Sequence, residues 1–374
     1  MKKIPIIGLT ILMMLTMLFS FGCGDESEAV APPTHDPIGE IIKTMTLTEK
    51  IGQMVMIGVQ GTALDEDSIY MLRQFHFGGV IFFQRNLESI EQTKRFINHI
   101  QRRADEKVPM FFAIDEEGGS VSRLGHLIGS APSEQEIGLS EEPQSARHWA
   151  LETAKSLQSI GFNVNFAPVA DVGKDPRDFS GDPKIAAEFV NNAAQGYEDG
   201  GVIYCLKHFP GIGRGIIDSH DEISAIDVPF EELRKVDLMP FQKIIDTHPH
   251  DRFMIMATHI VFPAIDPDNS ASMSYDVLTG LLRERLGFDG IIITDDLEMG
   301  AAANNNTFRK MGVKAIKAGA DIALVCHEYS HEQDVYLGLL DAVEHGEISE
   351  ERIDESVRRI LRAKLNNLAV NGAQ

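Results

Sequence analysis

Residues 207–220 read KHFPGIGRGIIDSH and hold the side chains in this chain best suited to proton transfer. The stretch leaves an apolar, strand-like run, Gly201-Val-Ile-Tyr-Cys-Leu206, with a cation and an imidazole, Lys207 and His208. Gly211, Gly213 and Gly215 follow at alternate positions and loosen the backbone. The loop closes on Asp218-Ser-His220. An aspartate two residues before a histidine can accept a hydrogen bond from one ring nitrogen, which fixes the tautomer and leaves the other nitrogen for acid–base work. A glycine-rich arm carrying such a histidine suggests a catalytic group brought in over bound substrate. Asp-x-His alone would equally describe a solvated surface loop; the Lys-His pair and the three glycines weigh against that reading.

A second candidate is Ile291-Ile-Ile-Thr-Asp295-Asp296-Leu297, a buried strand ending in two carboxylates. Neighbouring side chains alternate across a strand, so one carboxylate is expected to face a pocket and the other to cap the next helix. Asp295, held among hydrogen-bond donors, would stay ionised and could attack an anomeric carbon. Glycosidases usually pair two carboxylic acids; here the partner would be His220, as an imidazolium backed by Asp218. Asp115 offers an acceptor for sugar hydroxyls and Arg123 a lateral clamp, while Glu116 and Glu117 are expected to hold a structural turn. In the irregular loop 171–183, DVGKDPRDFSGDP, Arg177 is the residue suited to reach inward. His259 reads as a satisfied core histidine.

Elements that could bring these residues together are legible in the periodicity. Apolar runs at 53–59, 79–83, 109–114, 163–168, 201–206, 253–257, 290–294 and 321–325 alternate with helical patterns at 65–75, 89–106, 142–160, 183–199, 229–246, 275–286, 308–318, 331–345 and 350–365. Runs apolar on both faces imply a parallel sheet covered by helices. Eight strands, each followed by a helix, predict an α/β fold of the (β/α)8 TIM-barrel type, with an open doubly wound sheet as its rival. Ionisable residues gather just past six of the eight runs: Asp115-Glu116-Glu117, Asp171, Lys207-His208, His259, Asp295-Asp296 and His327-Glu328. That is where the active site of such a barrel opens.

Residues 1–22 stand apart. Lys2 and Lys3 precede an apolar run, the pattern of an export signal. The segment ends Ser20-Phe21-Gly22-Cys23 and resembles a bacterial lipoprotein signal, in which the cysteine becomes the lipidated first residue, although Ser20 stands where leucine is usual. Residues 23–36 read as a flexible tether and 37–374 as one catalytic barrel domain. The protein is therefore expected outside the cytoplasm, held to a membrane through lipid on Cys23. Net charge is −22. So acidic a chain, with no basic stripe, excludes nucleic acid as a partner and disfavours adhesion to an anionic surface. Cys205 and Cys326 sit inside apolar runs and are expected as buried thiols, and no metal-ligand spacing appears.

Taken together, IDEEGGSVSRL, NFAPVADV, RDFSGDP, KHFPGIGRGIIDSH, ATHIVFPAID, SYDVLTGLLRERLGFDG and ITDDLEMGA resemble glycoside hydrolase family 3, in its single-domain β-N-acetylhexosaminidase branch. The resemblance runs from about Ile51 to Leu365. It implies that Asp295 is the nucleophile, that Asp218 and His220 form the acid–base dyad, and that Asp115, Arg123, Arg177, Lys207 and His208 bind the terminal sugar. It implies no metal or organic cofactor. Relatives often read Gly-His-Gly-Asp-Thr where this chain has Gly211-Ile212-Gly213-Arg214-Gly215. The expected activity is release of terminal N-acetylglucosamine from peptidoglycan-derived glycans. The alternatives are a phosphorylase with phosphate as acceptor and a non-catalytic wall-binding lipoprotein.

Overall fold

The computed structural model describes residues 36–104, 108–214, 225–299 and 307–368. Eight strands close into a barrel: β1 (Val55–Gly58), β2 (Gly79–Phe82), β3 (Phe111–Ile114), β4 (Val164–Asn165), β5 (Ile203–Phe209), β6 (Phe253–Ala257), β7 (Ile291–Asp296) and β8 (Ile322–Val325). Every neighbouring pair is parallel and follows chain order. The ring closes where β8 returns to β1, Val55 opposite Ala323 and Ile57 opposite Val325. That closing pair excludes the open sheet. The strand interiors are Val, Ile, Leu, Met, Phe and Ala and are buried on both faces, as a helix-covered parallel sheet requires.

Helix starts follow from local side-chain chemistry. Asp65, Ser89, Asp182, Thr307 and Ser349 each accept a backbone N–H from the first turn of the helix that follows. The predicted helix over 229–246 is two helices, Phe230–Lys235 and Leu238–Thr247. At the break lies buried Asp237, which takes the Arg214 guanidinium at the root of the glycine-rich loop. The helix Asp276–Arg285 is wound more widely than expected, with Leu286 N donating to Leu281 O at 2.9 Å. Two helices ahead of β1, Pro37–Thr44 and Leu47–Gln53, were not anticipated; Gln53 belongs to the second of them instead of to the first strand. No helix among the described residues is long and apolar enough to cross a membrane.

The amino ends of the strands carry a buried polar network. Asp321, fully buried, accepts from Arg283, Arg359, Ser356 Oγ and the Ile292 amide. Lys364, also fully buried, donates to Gln53 Oε1 and Gly78 O, each at 2.7 Å, with its ammonium 4.7 Å from the Phe111 ring centre.

Candidate active site

At the carboxyl ends of the strands a cavity of about 270 Å³ opens. Its apolar lining includes Ile81, Phe166, Met256 and Leu324, all buried. These come from β2, the residue after β4, β6 and β8, so the even-numbered strands supply one layer, as tilted barrel strands do. The odd-numbered strands supply its chemistry: Asp115 just past β3, Lys207 in β5 and Asp295 in β7. Arg123, Arg177 and His208 complete the set. All six of the described residues singled out above therefore share one cavity. Asp218 and His220 lie outside the described residues, as does Cys23.

Two irregularities in strand pairing account for the side chains found together. On β5, Leu206 pairs with Ile255 and Phe209 with Ala257, three residues advancing against two on β6. On β7, Ile293 pairs with Ile322 and Asp296 with Leu324, again three against two. Each is a β-bulge, which inserts a residue and suspends the alternation of side chains. Consequently Lys207 and His208 both line the cavity, and so do Asp295 and Asp296. The expectation that only one of the two aspartates would face the pocket is corrected by the bulge in β7. The Lys207–His208 peptide is cis.

The cationic and anionic groups interlock. Lys207 Nζ donates to Asp115 Oδ1 at 2.8 Å and to Glu117 Oε1 at 2.6 Å. Arg177 grips Glu117 with two bonds of 2.8 Å, and Arg123 Nη2 stands 3.5 Å from Asp115 Oδ2. Burial would raise the Glu117 carboxyl, but Lys207 and Arg177 outweigh it and bring it down to about 2. For Lys207 burial works downward and is likewise overcome by Asp115 and Glu117, which hold the ammonium charged. Behind them Glu134, buried and accepting from the Val169 amide, is driven well above the usual carboxyl range by burial and by Glu117. Asp171 takes His208 Nδ1 at 2.7 Å and the Ile212 amide at 2.8 Å. With Arg177 Nη2 3.4 Å from His208 Nε2, the ring is the Nδ1–H tautomer, its Nε2 an acceptor. The result is a ring of fixed donors and acceptors able to take several hydroxyls of a bound sugar.

The nucleophile candidate is held by its surroundings. Asp295 Oδ1 accepts from the Asp296 amide at 2.9 Å. His259, buried as expected, stands 2.9 Å from the Asp296 carbonyl through Nε2 and 2.7 Å from Ser272 Oγ through Nδ1. Glu298 accepts the backbone N–H groups of Cys326 at 2.9 Å, His327 at 2.5 Å and Glu328 at 3.1 Å, and bonds His331 Nδ1 at 2.6 Å. It thus ties the end of β7 to the start of the helix Tyr329–Glu344. Asp296, Glu298 and His327 bring one ligand-type atom each within 4.8 Å of one another. Glu298 is already engaged by those N–H groups, so the group reads as a capping network. Cys205 and Cys326 are buried free thiols.

Glu117, Asp171 and Asp296 were not assigned to the site from the sequence. Glu117 was set aside with Glu116 as a structural turn. Glu116 does hold one, accepting from Ser122 Oγ and the Leu124 amide. The signal for Glu117 was available: two cations converging on the pocket, Lys207 and Arg177, call for more counter-charge than Asp115 alone.

The profile of the glycosyl hydrolase family 3 N terminal domain matches residues 46–363. The chain belongs to glycosyl hydrolase family 3. It is 32% identical over 334 residues to beta-hexosaminidase A of Pseudoalteromonas piscicida, covering 81% of this chain and 56% of that protein. To a beta-hexosaminidase of Idiomarina loihiensis it is 32% identical over 326 residues, covering 85% of this chain and 94% of the relative. The structure of a family 3 β-N-acetylglucosaminidase from Paenibacillus sp. superposes with a TM-score of 0.84 at 36% identity, over 88% of this chain and 64% of the other. The chain thus spans little more than half of the first of these relatives and nearly all of the second. Family 3 membership agrees with the barrel and with the cluster at its carboxyl end.

Proposed function

We propose that this chain is a retaining exo-β-N-acetylglucosaminidase. The observation that carries the proposal is that Asp295 shares one cavity with Asp115, Arg123, Arg177, Lys207 and His208. At about 270 Å³ the cavity is smaller than the sites of about 300–1,000 Å³ that bury drug-sized ligands. It therefore suits a single terminal ring. Relatives named beta-hexosaminidase support an N-acetylhexosamine in that place.

In this reading Asp295 Oδ attacks the anomeric carbon as the bond to the leaving oxygen breaks, and His220, oriented by Asp218, gives that oxygen its proton. Water then attacks the same carbon, His220 takes the water proton, and the Asp295–carbon bond breaks. Asp115, Arg123, Lys207, Arg177 and His208 hold the terminal sugar. The natural substrates are peptidoglycan-derived fragments ending in N-acetylglucosamine, and the protein is an exported lipoprotein anchored through Cys23. The charged and apolar opening of the chain and the cysteine after it support that placement.

The test is release of chromophore from an aryl β-N-acetylglucosaminide beside the β-glucoside, with wild type, Asp295→Ala and His220→Ala, each with and without phosphate. The expected result is turnover of the first substrate, abolished in Asp295→Ala and reduced in His220→Ala by less than the roughly 10²–10⁴-fold expected for a sugar leaving group, because an aryl leaving group needs little protonation. Free N-acetylglucosamine as product in both buffers excludes the phosphorylase. Equal silence of wild type and both variants would sink the catalytic reading. A Cys23→Ser protein that stays in the membrane fraction would sink the anchor.

A further inference from the structure

The described part of the glycine-rich stretch, up to Arg214, is held more firmly than its composition suggests. The amides of His208 and Ile212 both donate to Asp171 Oδ1, at 3.2 and 2.8 Å. Gly211, at φ +126°, packs so closely on Asp237 that a Cβ there would lie 2.7 Å from the Asp237 Cβ. A Cβ on Gly213 would lie 2.5 Å from the Val172 carbonyl group. These two glycines therefore serve close approach of the backbone and not looseness.

Arg214 completes the attachment. Its Nε donates to Asp237 Oδ1 at 3.1 Å and its Nη2 to Asp237 Oδ2, while Nη1 bonds Glu232. Asp237 is 1% exposed and sits at the break between the helices Phe230–Lys235 and Leu238–Thr247. A planar two-pronged pair of this kind fixes direction as well as distance. Beyond the undescribed residues the chain is tied again: Ala225 bridges Val261 in parallel, and the Ile226 amide donates to Val261 O at 2.9 Å. His220 lies six residues past Arg214 and five before Ala225. At roughly 3.3–3.6 Å per extended residue, its Cα must fall within about 22 Å of the first and about 18 Å of the second. Arg214 itself does not line the cavity. Its action on the reaction must therefore pass through the chain it anchors.

We propose that Arg214, gripped by Asp237, is a positioning residue for the acid–base histidine: it sets the point and direction from which the chain runs to His220, without touching substrate. The inference rests on the glycosidase reading above. Its test compares kcat/KM for phenyl and 2,4-dinitrophenyl β-N-acetylglucosaminide, the first needing a proton on its leaving oxygen and the second hardly any. The proteins are wild type, Arg214→Lys, the double variant Arg214→Met with Asp237→Asn, and that double variant carrying His220→Ala. Removing both charges leaves no buried carboxylate without a partner. The double variant should lose about 10–100-fold on the phenyl substrate, the scale of a misplaced catalytic group, and less than about threefold on the dinitrophenyl one. Arg214→Lys keeps the charge but not the fork, so it should recover part of the loss. It also carries the comparison if the double variant does not fold. In the His220→Ala background, removing the pair should change the phenyl rate by less than about twofold, because both changes disable one group.

Equal losses on the two substrates overturn the positioning role, and so do losses that multiply with that of His220→Ala. Wild type inactive on both substrates overturns the glycosidase reading and this one with it. Wild type active on both, with variants that show no dependence on the leaving group, overturns this one alone.

Discussion

Lys207 Nζ stands 2.6 Å from Glu117 Oε1, with the two side chains 3% and 2% exposed. A pair buried this deeply is costly to break from one side, because the remaining charge is left without a partner. Lys207→Met should destabilise the fold by about 3–5 kcal/mol. Removing both charges, in Lys207→Met with Glu117→Gln, should recover a substantial part of that loss. Urea unfolding of wild type, Lys207→Met, Glu117→Gln and the double variant checks this; a double variant no more stable than Lys207→Met would show that the two charges are not coupled.

The same pair sets the acid limit of stability. Glu117 has a folded-state pKa of about 2 against an ordinary 4.5. Its contribution is complete above the unfolded value and is lost as pH falls from about 4.5 toward 2, and amounts to about 3 kcal/mol. Glu117→Gln should flatten that part of the stability–pH curve. Unfolding midpoints from pH 6 down to 3 should fall less steeply in the variant, and parallel curves would refute the assignment.

At the opposite end of the barrel the sign reverses. Burial lowers the Lys364 pKa to about 7. The unfolded chain then holds a proton that the folded one lacks between about 7 and 10.4, so stability rises with pH across that interval and the cost is complete below it. Lys364→Met should remove a gain of about 3 kcal/mol between pH 7 and 9.5. Chemical denaturation at the two values tests the slope; an equal gain in both proteins contradicts it.

Glu298 is predicted to act on turnover without touching substrate. Through four acceptor contacts it holds the end of β7 against the loop after β8. Glu298→Ala should cost about 1–2 kcal/mol of stability as a lost cap. It should also lower kcat more than it raises KM, because Asp295 loses its fixed position while the hydroxyl-binding side stays intact. Glu298→Gln, which keeps one acceptor oxygen, should recover part of both. A fall in KM affinity with kcat unchanged would place Glu298 in binding instead.

Much of this architecture was readable from residue order. Alternating apolar and amphipathic runs predicted eight strand–helix units, and the ionisable residues past the strand ends pointed to the cavity mouth. Arg177 was legible as the loop residue suited to reach inward, and it grips Glu117 inside the cavity. What escaped was whatever depends on spatial pairing. Glu117 is distinguished from Glu116 only by facing two cations that lie far along the chain. The split of residues 229–246 is marked by Asp237, whose burial makes sense only opposite Arg214. The orientation of Asp296 could not follow from strand alternation, since the alternation is interrupted there.

Those interruptions bear on how such a site changes over generations. Lys207 beside His208, and Asp295 beside Asp296, face one cavity because each strand carries a residue more than its neighbour over the same stretch. Exchanging one letter for another leaves that surplus in place. Deleting a codon restores regular alternation and turns one member of the pair into the helical shell. The pocket's chemistry can therefore drift by substitution at either position, whereas the doubling itself is inherited as a difference in length, gained or lost in a single event.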